Sequence, residues 1–131
     1  MPLGDSTSPE MERIATQVVD AAFKVHQEIG PGVLESAYEL CLAHELRMRG
    51  LRVERQVELP IKYDNVLIES GYRLDLVVEG LIIVEIKAIE KLHPVHEAQC
   101  LTYLKFSGLR VCILINFNVK LFKDGIKRIV R

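Results

Sequence analysis

The sequence predicts an α/β fold in which a mixed central β-sheet is flanked by helices. Two stretches with helical hydrophobic periodicity come first, at residues 9–29 and about 34–49. Three strand-like segments follow, then a third helical stretch at residues 94–107 and further strands. This order describes a mixed sheet with helices on its faces, and it excludes a repeat protein, a coiled coil or a helix bundle.

Both N-terminal helices have local start and stop signals. Ser8 can cap the first helix and Pro9 suits its first position, while Gly30-Pro31-Gly32 ends it. One apolar stripe follows from its spacing: Ile14, Val18, Ala21, Ala22, Val25 and Ile29. The second helix stops at Gly50. Five of its side chains are expected to face a core: Leu34, Ala37, Tyr38, Cys41 and Met48.

The hydrophobic period changes from helical to strand-like at residue 52. The strand pattern continues past Pro60, turns at Asp64-Asn65 and has a candidate break at Gly71. Two strands are predicted on this basis, one over residues 52–63 and one over residues 66–78.

The second half of the chain contains the most apolar strands. Residues 81–87 follow a turn at Glu79-Gly80 and are almost wholly apolar, which predicts a central strand covered on both faces. The third helix is closed by Gly108, and residues 111–115 predict another buried strand. Two short strands around Asp124-Gly125 are expected to finish the chain.

Length and composition indicate one ordinary globular domain. The 131 residues are 49% hydrophobic and 27% charged, and the domain is expected over residues 9–131 after a disordered polar tail over residues 1–8. No apolar run approaches the ~20 residues that span a bilayer, and the N-terminus lacks a secretory leader. We therefore expect a cytoplasmic protein without a membrane partner. Three widely spaced cysteines, Cys41, Cys100 and Cys112, are expected to be small buried hydrophobes.

The charge distribution is asymmetric although the net charge is only −1. From Cys100 onward, the chain contains seven basic residues and one acidic residue, Asp124. Such a region can be a phosphate-binding face beside an acidic metal site, with Lys105, Lys123 and Lys127 as candidate contacts. It can equally be solvated strand and helix surface.

Charged residues interrupt the apolar strand at residues 81–87. Glu85 and Lys87 lie two apart and so point to one face of that strand, and the preceding strand contributes Asp75. Buried charges are costly unless they are paired or ligated. The alternatives are an edge strand with a solvated face or a structural ion pair. Such a pair would join Glu85 to Lys87, or Asp75 to Arg73 or Lys87.

The loop between these strands decides whether the two carboxylates meet. A three-residue loop of Glu79, Gly80 and Leu81, with Gly80 left-handed, would pair Val78 with Ile82 and set Asp75 opposite Glu85. A two-residue loop would put the carboxylates on opposite faces. Facing carboxylates raise the pKa of one of them unless a divalent cation lies between them.

Oxygen ligands of this kind favour Mg²⁺ or Mn²⁺, and Lys87 beside them completes the groups needed to hydrolyse a phosphodiester. A zinc site of His93, His96 and Cys100 is a weaker alternative, because Pro94 places His93 at or before the helix start. Tyr38 can be core packing or a stacking platform for a base.

These motifs resemble the PD-(D/E)xK nuclease superfamily. Asp75 is followed ten residues later by Glu85-Ile86-Lys87, although Leu74 stands where the superfamily often has proline. Gln99 and Tyr103 are similar to the Q-x-x-x-Y motif of the RecB-type branch. The segment Gly32-Val-Leu-Glu35-Ser-Ala-Tyr38 resembles the signature of the GxxExxY proteins. The resemblance extends from about Gly30 to the C-terminus.

The resemblance implies a restriction-endonuclease-like core of the order αβββαβ. It implies Asp75, Glu85 and the Ile86 carbonyl as metal ligands, and Lys87 as the catalytic lysine. Glu35 would approach the metal directly or through water. Gln99 and Tyr103 would position Lys87 or the substrate phosphate.

The predicted function is metal-dependent hydrolysis of nucleic-acid phosphodiester bonds, with DNA favoured over RNA. One alternative is a weakly active or inactive module of the same fold that binds nucleic acid or a protein partner. Another is an interaction protein unrelated to nucleic acid. The sequence leaves open whether the protein acts alone, as a homodimer or in a larger complex.

Overall fold

The computed structural model describes residues 7–131. Residues 1–6 of the predicted tail lie outside this range. The described chain contains three α-helices, five β-strands and one short 3-10 helix. In chain order they are α1 (Pro9–Ile29), α2 (Glu35–Met48), β1 (Val53–Tyr63), β2 (Val66–Val78), β3 (Ile82–Lys87), α3 (Pro94–Ser107), β4 (Val111–Asn116), the 3-10 helix (Phe122–Asp124) and β5 (Ile126–Val130).

The five strands form one mixed sheet in the order β1-β2-β3-β4-β5, with β3 at its centre. Neighbouring strands are antiparallel except for β3 and β4, which are parallel and joined by α3. A parallel pair needs such a crossover because the chain must return to the same end of the sheet. The predicted α/β class, with a mixed central sheet flanked by helices, is confirmed.

Apolar cores lie on both faces of the sheet. On one face, α1 and α2 cover residues such as Leu76, Val84 and Ile113. On the other, α3 covers a smaller core that includes Ile83 and Leu114. Alternate side chains of β3 therefore enter different cores, which explains why its sequence is apolar at nearly every position.

The predicted stripe of α2 is partly wrong. Leu34 precedes the helix and is 76% exposed, and Met48 at its end is 71% exposed. The side chains that reach the core include Tyr38, Leu42 and Leu46, which recur every four residues. A helix of only 14 residues does not fix from its sequence which side faces the core. Apolar residues at its ends were therefore wrongly included in the predicted stripe.

The chain after β4 also differs from the prediction, which placed two short strands there. Only β5 pairs with the sheet, and the 3-10 helix precedes it. Phe117 and Phe122 are instead buried in the core that α1 and α2 cover. Among residues 7–131, no helix is both long and apolar enough to cross a membrane.

Candidate active site

The hairpin between β2 and β3 has the longer of the two loops that the sequence allows. Val78 pairs with Ile82, and the register continues to Leu76 opposite Val84. Glu79 and Gly80 both have positive φ angles, 54° and 64°. One further step along this register sets Asp75 opposite Glu85, so their side chains share a face of the sheet.

The two carboxylates replace backbone hydrogen bonds at the point where β2 and β3 separate. The backbone N–H of Asp75 donates to Oε1 of Glu85 at 3.2 Å. The backbone N–H of Ile86 donates to Oδ2 of Asp75 at 2.8 Å. Each carboxylate is thus held by the backbone of the opposite strand, and Lys87 follows Glu85 by one pleat on the same face.

Burial dominates the electrostatics of this pair, and at Glu85 the charge of Asp75 adds to it. Glu85 is 3% exposed, and burial together with the charge of Asp75 raises its pKa to about 9. Burial also raises the pKa of Asp75, against the opposing effects of the Ile86 N–H and Lys87. Within the described range, no ion pair involves Asp75, Glu85 or Lys87, and Arg73 pairs with Glu58. The structure therefore contradicts the edge-strand and ion-pair alternatives.

The metal-free protein is expected to lose stability as pH rises from about 5 to about 9. Glu85 has a higher pKa in the folded state than in the unfolded state, so the folded state binds more protons across this window. For one titrating group, the free energy of unfolding cannot change by more than about 1.4 kcal/mol per pH unit. Chemical denaturation at several pH values, with chelator present, measures it. The Glu85→Gln variant should show a flatter profile, and an equal slope in both proteins would contradict the assignment.

Glu35, in the first turn of α2, lies at the mouth of this site. Partial burial raises the pKa of its carboxyl, the charge of Asp75 raises it further, and Lys87 lowers it. Glu35 is nevertheless exposed. No group of three or more His, Cys, Asp or Glu side chains in residues 7–131 is arranged to hold a metal ion. The structure therefore brings Asp75 and Glu85 together, with Glu35 facing them from further away.

The opposite wall comes from α3. Tyr103 is 4% exposed, and its pKa is raised by burial and by the nearby charges of Glu85 and Asp75. Its ring contacts Tyr72 edge to face, with centroids 5.7 Å apart. Gln99, one turn earlier on α3, is half-buried. Both residues of the predicted Q-x-x-x-Y motif thus lie on the helix that covers the site.

The zinc alternative is not supported. The backbone N–H of His93 donates to Nδ1 of His96 at 2.9 Å, so the His96 side chain takes part in capping the N-terminus of α3. Cys100 is buried in the core, one of three free cysteines with Cys41 and Cys112. These side chains do not form a ligand cluster within the part of the chain described.

The prediction that Tyr38 forms a stacking platform for a base is wrong. Its ring is completely buried and stacks on Phe117 at a centroid distance of 4.6 Å. Its hydroxyl donates to the carbonyl of Gly30 and accepts from the N–H of Val33. Tyr38 therefore connects α2 to the loop before it, and no ring face is open to a nucleic-acid base.

The three candidate lysines lie in different surroundings. Lys105 is in the last turn of α3, next to Phe106, and so at the opposite end of the sheet from Lys87. Lys105 therefore stays a prediction as a phosphate contact, at a position away from Lys87. Lys127 forms an ion pair with Glu97 at 3.1 Å. Lys123 is exposed in the 3-10 helix, close to the end of β4 that neighbours Lys87.

Sequence reasoning missed a buried amide beside Lys87. Asn116 is 1% exposed and pairs with Lys87 in the parallel register of β3 and β4. Its side chain accepts from the N–H of Ile89 at 3.1 Å and donates to the carbonyl of Ile89 at 2.9 Å. The backbone N–H of Phe117 donates to the Lys87 carbonyl. These bonds fix the chain at Lys87 and two residues after it.

Two more polar residues beside the site, Glu39 and Gln56, were also missed. Glu39 is 5% exposed and pairs with Arg55 at 3.0 Å. Gln56 donates to Glu39 at 2.7 Å. The only sequence signal is the spacing of Glu39, which lies one turn after Glu35 and therefore on the same side of α2.

The comparisons with known proteins agree with this geometry. The sequence matches a family model of the PD-(D/E)XK nuclease superfamily over residues 12–129. No match is found among curated proteins or solved structures. Members of the superfamily are generally nucleases, and they typically use divalent metals. Because the match covers nearly the whole chain and the mixed sheet fits the fold, the chain belongs to the PD-(D/E)XK nuclease superfamily.

Proposed function

We propose that the protein is a divalent-metal-dependent nuclease of the GxxExxY group that hydrolyses nucleic-acid phosphodiester bonds, with DNA as the favoured substrate. One observation carries the proposal. Asp75 and Glu85 face each other on the central strands, Glu85 is almost fully buried, and no cationic side chain within the described residues pairs with either. A divalent cation would relieve the repulsion that this arrangement builds in.

The donor set fits Mg²⁺ or Mn²⁺. Both hard cations prefer oxygen ligands, and Mg²⁺ is commonly held by one or two carboxylates with water and substrate phosphate completing the shell. Two facing carboxylates therefore suffice. The Ile86 carbonyl is a reasonable third ligand, because the N–H and C=O of one strand residue point to the same side, and the Ile86 N–H faces Asp75. Glu35 would act through water.

A bound cation supplies Lewis acidity, lowering the pKa of water and neutralising charge on the phosphate. The protein's own groups do the rest. Lys87, on the same face as Glu85, would donate a hydrogen bond to the attacking water or to the phosphate oxygen that gains charge. Tyr103 has a raised pKa, so its hydroxyl keeps its proton and can donate. Together with Gln99 it would hold Lys87 or the phosphate in place.

Exposed positive charge near the site supports a polyanionic substrate. Lys123 is the candidate phosphate contact, since it is exposed and close to the end of the sheet that carries Lys87. Lys127 would have to leave Glu97 before it could bind a phosphate. Phosphate contacts of this kind add affinity without sequence specificity.

Cleavage is expected with Mg²⁺ or Mn²⁺ and none with chelator. The assay would compare supercoiled plasmid, linear duplex DNA, single-stranded DNA and RNA, with each metal in turn. Faster cleavage of a DNA substrate would support the proposal, whereas a preference for RNA would correct the substrate. Binding of any of these polymers without metal-dependent cleavage would support the alternative of an inactive nucleic-acid-binding module. Absence of both binding and cleavage would refute the proposal.

A further inference from the structure

The ladder between β1 and β2 is interrupted opposite Asp75. Arg55 pairs with Leu76 and Val57 pairs with Leu74, so the register sets Gln56 across from Asp75. Gln56 itself makes no ladder pair there. Its φ angle is +51°, a left-handed conformation in the interior of a strand.

Such a conformation is unfavourable for glutamine and needs a cause in its surroundings. Residues other than glycine, asparagine and aspartate seldom adopt it, and it persists only where neighbouring groups hold it. Gln56 is exposed, so burial of its side chain in the core does not hold it. Strained residues of this kind concentrate at functional sites.

The side-chain hydrogen bonds of Gln56 supply the cause. Its Nε2 donates to Oε1 of Glu39 at 2.7 Å. Asp75 lies directly opposite in the register of β1 and β2, close enough for the Gln56 side chain to act against the burial that raises the pKa of Asp75. Glu39 is further held by Arg55, whose Nε donates to Oε2 at 3.1 Å. The Gln56 amide therefore binds a carboxylate of α2 from a position opposite Asp75 of β2.

We propose that Gln56 is a positioning residue of the metal site: placed opposite Asp75, it binds Glu39 and so keeps α2, with Glu35, beside the Asp75 carboxylate. The inference rests on the proposed function, because it takes Asp75 as a metal ligand. Groups that hydrogen-bond a ligand commonly change metal affinity by about 10- to 100-fold. Glu35 and Glu39 are one helical turn apart, so fixing one of them fixes the other.

Only a neutral donor of this length suits the position. Glutamate would place a third carboxylate between Asp75 and Glu39. Asparagine tolerates a positive φ better than glutamine but is one methylene shorter, so it retains the backbone and loses the reach. Glycine removes both the strain and the side chain. These two substitutions separate the effect on the backbone from the effect on the site.

The test measures Mn²⁺ affinity by isothermal titration calorimetry, with melting temperature recorded in chelator. We expect Gln56→Asn and Gln56→Gly to bind Mn²⁺ about 10- to 100-fold more weakly than the wild type while their metal-free melting temperatures stay equal or rise. Glu54→Gln changes an exposed residue of the same strand and should leave both quantities unchanged.

Three results would overturn the inference. Wild-type affinity in both Gln56 variants would show that Gln56 does not act on the site, while the proposed function would stand. Lower melting temperature with unchanged affinity would show a structural role instead. No Mn²⁺ binding by the wild type would remove the proposed function together with the inference, and so is distinguishable from the other two.

Discussion

Replacing Asp75 with asparagine is expected to abolish metal-dependent cleavage while leaving the metal-free protein as stable as before, or more so. The asparagine oxygen can still accept from the Ile86 N–H, and the Asp75 charge that helps to raise the pKa of buried Glu85 disappears. The wild type should gain about 2.7 kcal/mol of stability at a metal concentration 100 times Kd, and the variant should gain none. Thermal melting with and without Mg²⁺, beside a cleavage assay, measures both effects.

The matched control for this variant is Asp64→Asn. Asp64 lies at the exposed turn between β1 and β2 with a φ angle of 51°, which asparagine also tolerates. It should change neither cleavage nor the metal-induced shift. A loss of about 3 kcal/mol or more in metal-free Asp75→Asn would instead indicate a buried structural charge. If the wild type also showed no metal-induced shift, the proposed site would be refuted.

Replacing Lys87 with methionine is expected to lower the cleavage rate by about 100- to 1000-fold or more, the usual effect of removing one group that stabilises transition-state charge. Methionine keeps most of the apolar stem, and the backbone at Lys87 and at Ile89 is held through Phe117 and Asn116. The fold and the metal ligands should therefore remain. Single-turnover cleavage and Mn²⁺ titration calorimetry together show whether rate falls while metal binding persists.

Lys91→Met is the control, since Lys91 is an exposed lysine in the segment between β3 and α3. It should cleave at the wild-type rate. Cleavage by Lys87→Met at the wild-type rate would show that Lys87 has no role in the reaction. Loss of Mn²⁺ binding in that variant would show that Lys87 supports the metal ligands rather than the chemistry.

Signals within a few residues of each other made much of the fold predictable. Ser8 caps α1 through a hydrogen bond from the Met11 N–H, and Gly108 closes α3 in a left-handed conformation, as their positions predicted. The central strand β3 was recognisable because its sequence is almost wholly apolar, and Glu85 and Lys87 marked the site because they interrupt that run. The cost of burying charge makes such residues conspicuous.

Features that depend on packing between distant segments were predicted less well. Leu34 and Met48 are apolar but exposed, because only the phase of α2 against the sheet decides which side faces the core. Tyr38 suited both core packing and base stacking until Phe117, far along the chain, covered its ring. Lys127 suited a phosphate contact, but Glu97 of α3 pairs with it.

By itself, the sequence determined the fold class, the central position of β3 and the spacing of Asp75, Glu85 and Lys87, because periodicity and buried charge are properties of neighbouring residues. Only the tertiary structure decided that the two carboxylates face each other, since loops of two and three residues were both compatible with the sequence. It alone also revealed Gln56, which binds Glu39 of α2 and lies opposite Asp75 of β2, residues 17 and 19 positions away along the chain. Folding brings such groups within hydrogen-bond distance, and no spacing along the chain signals it.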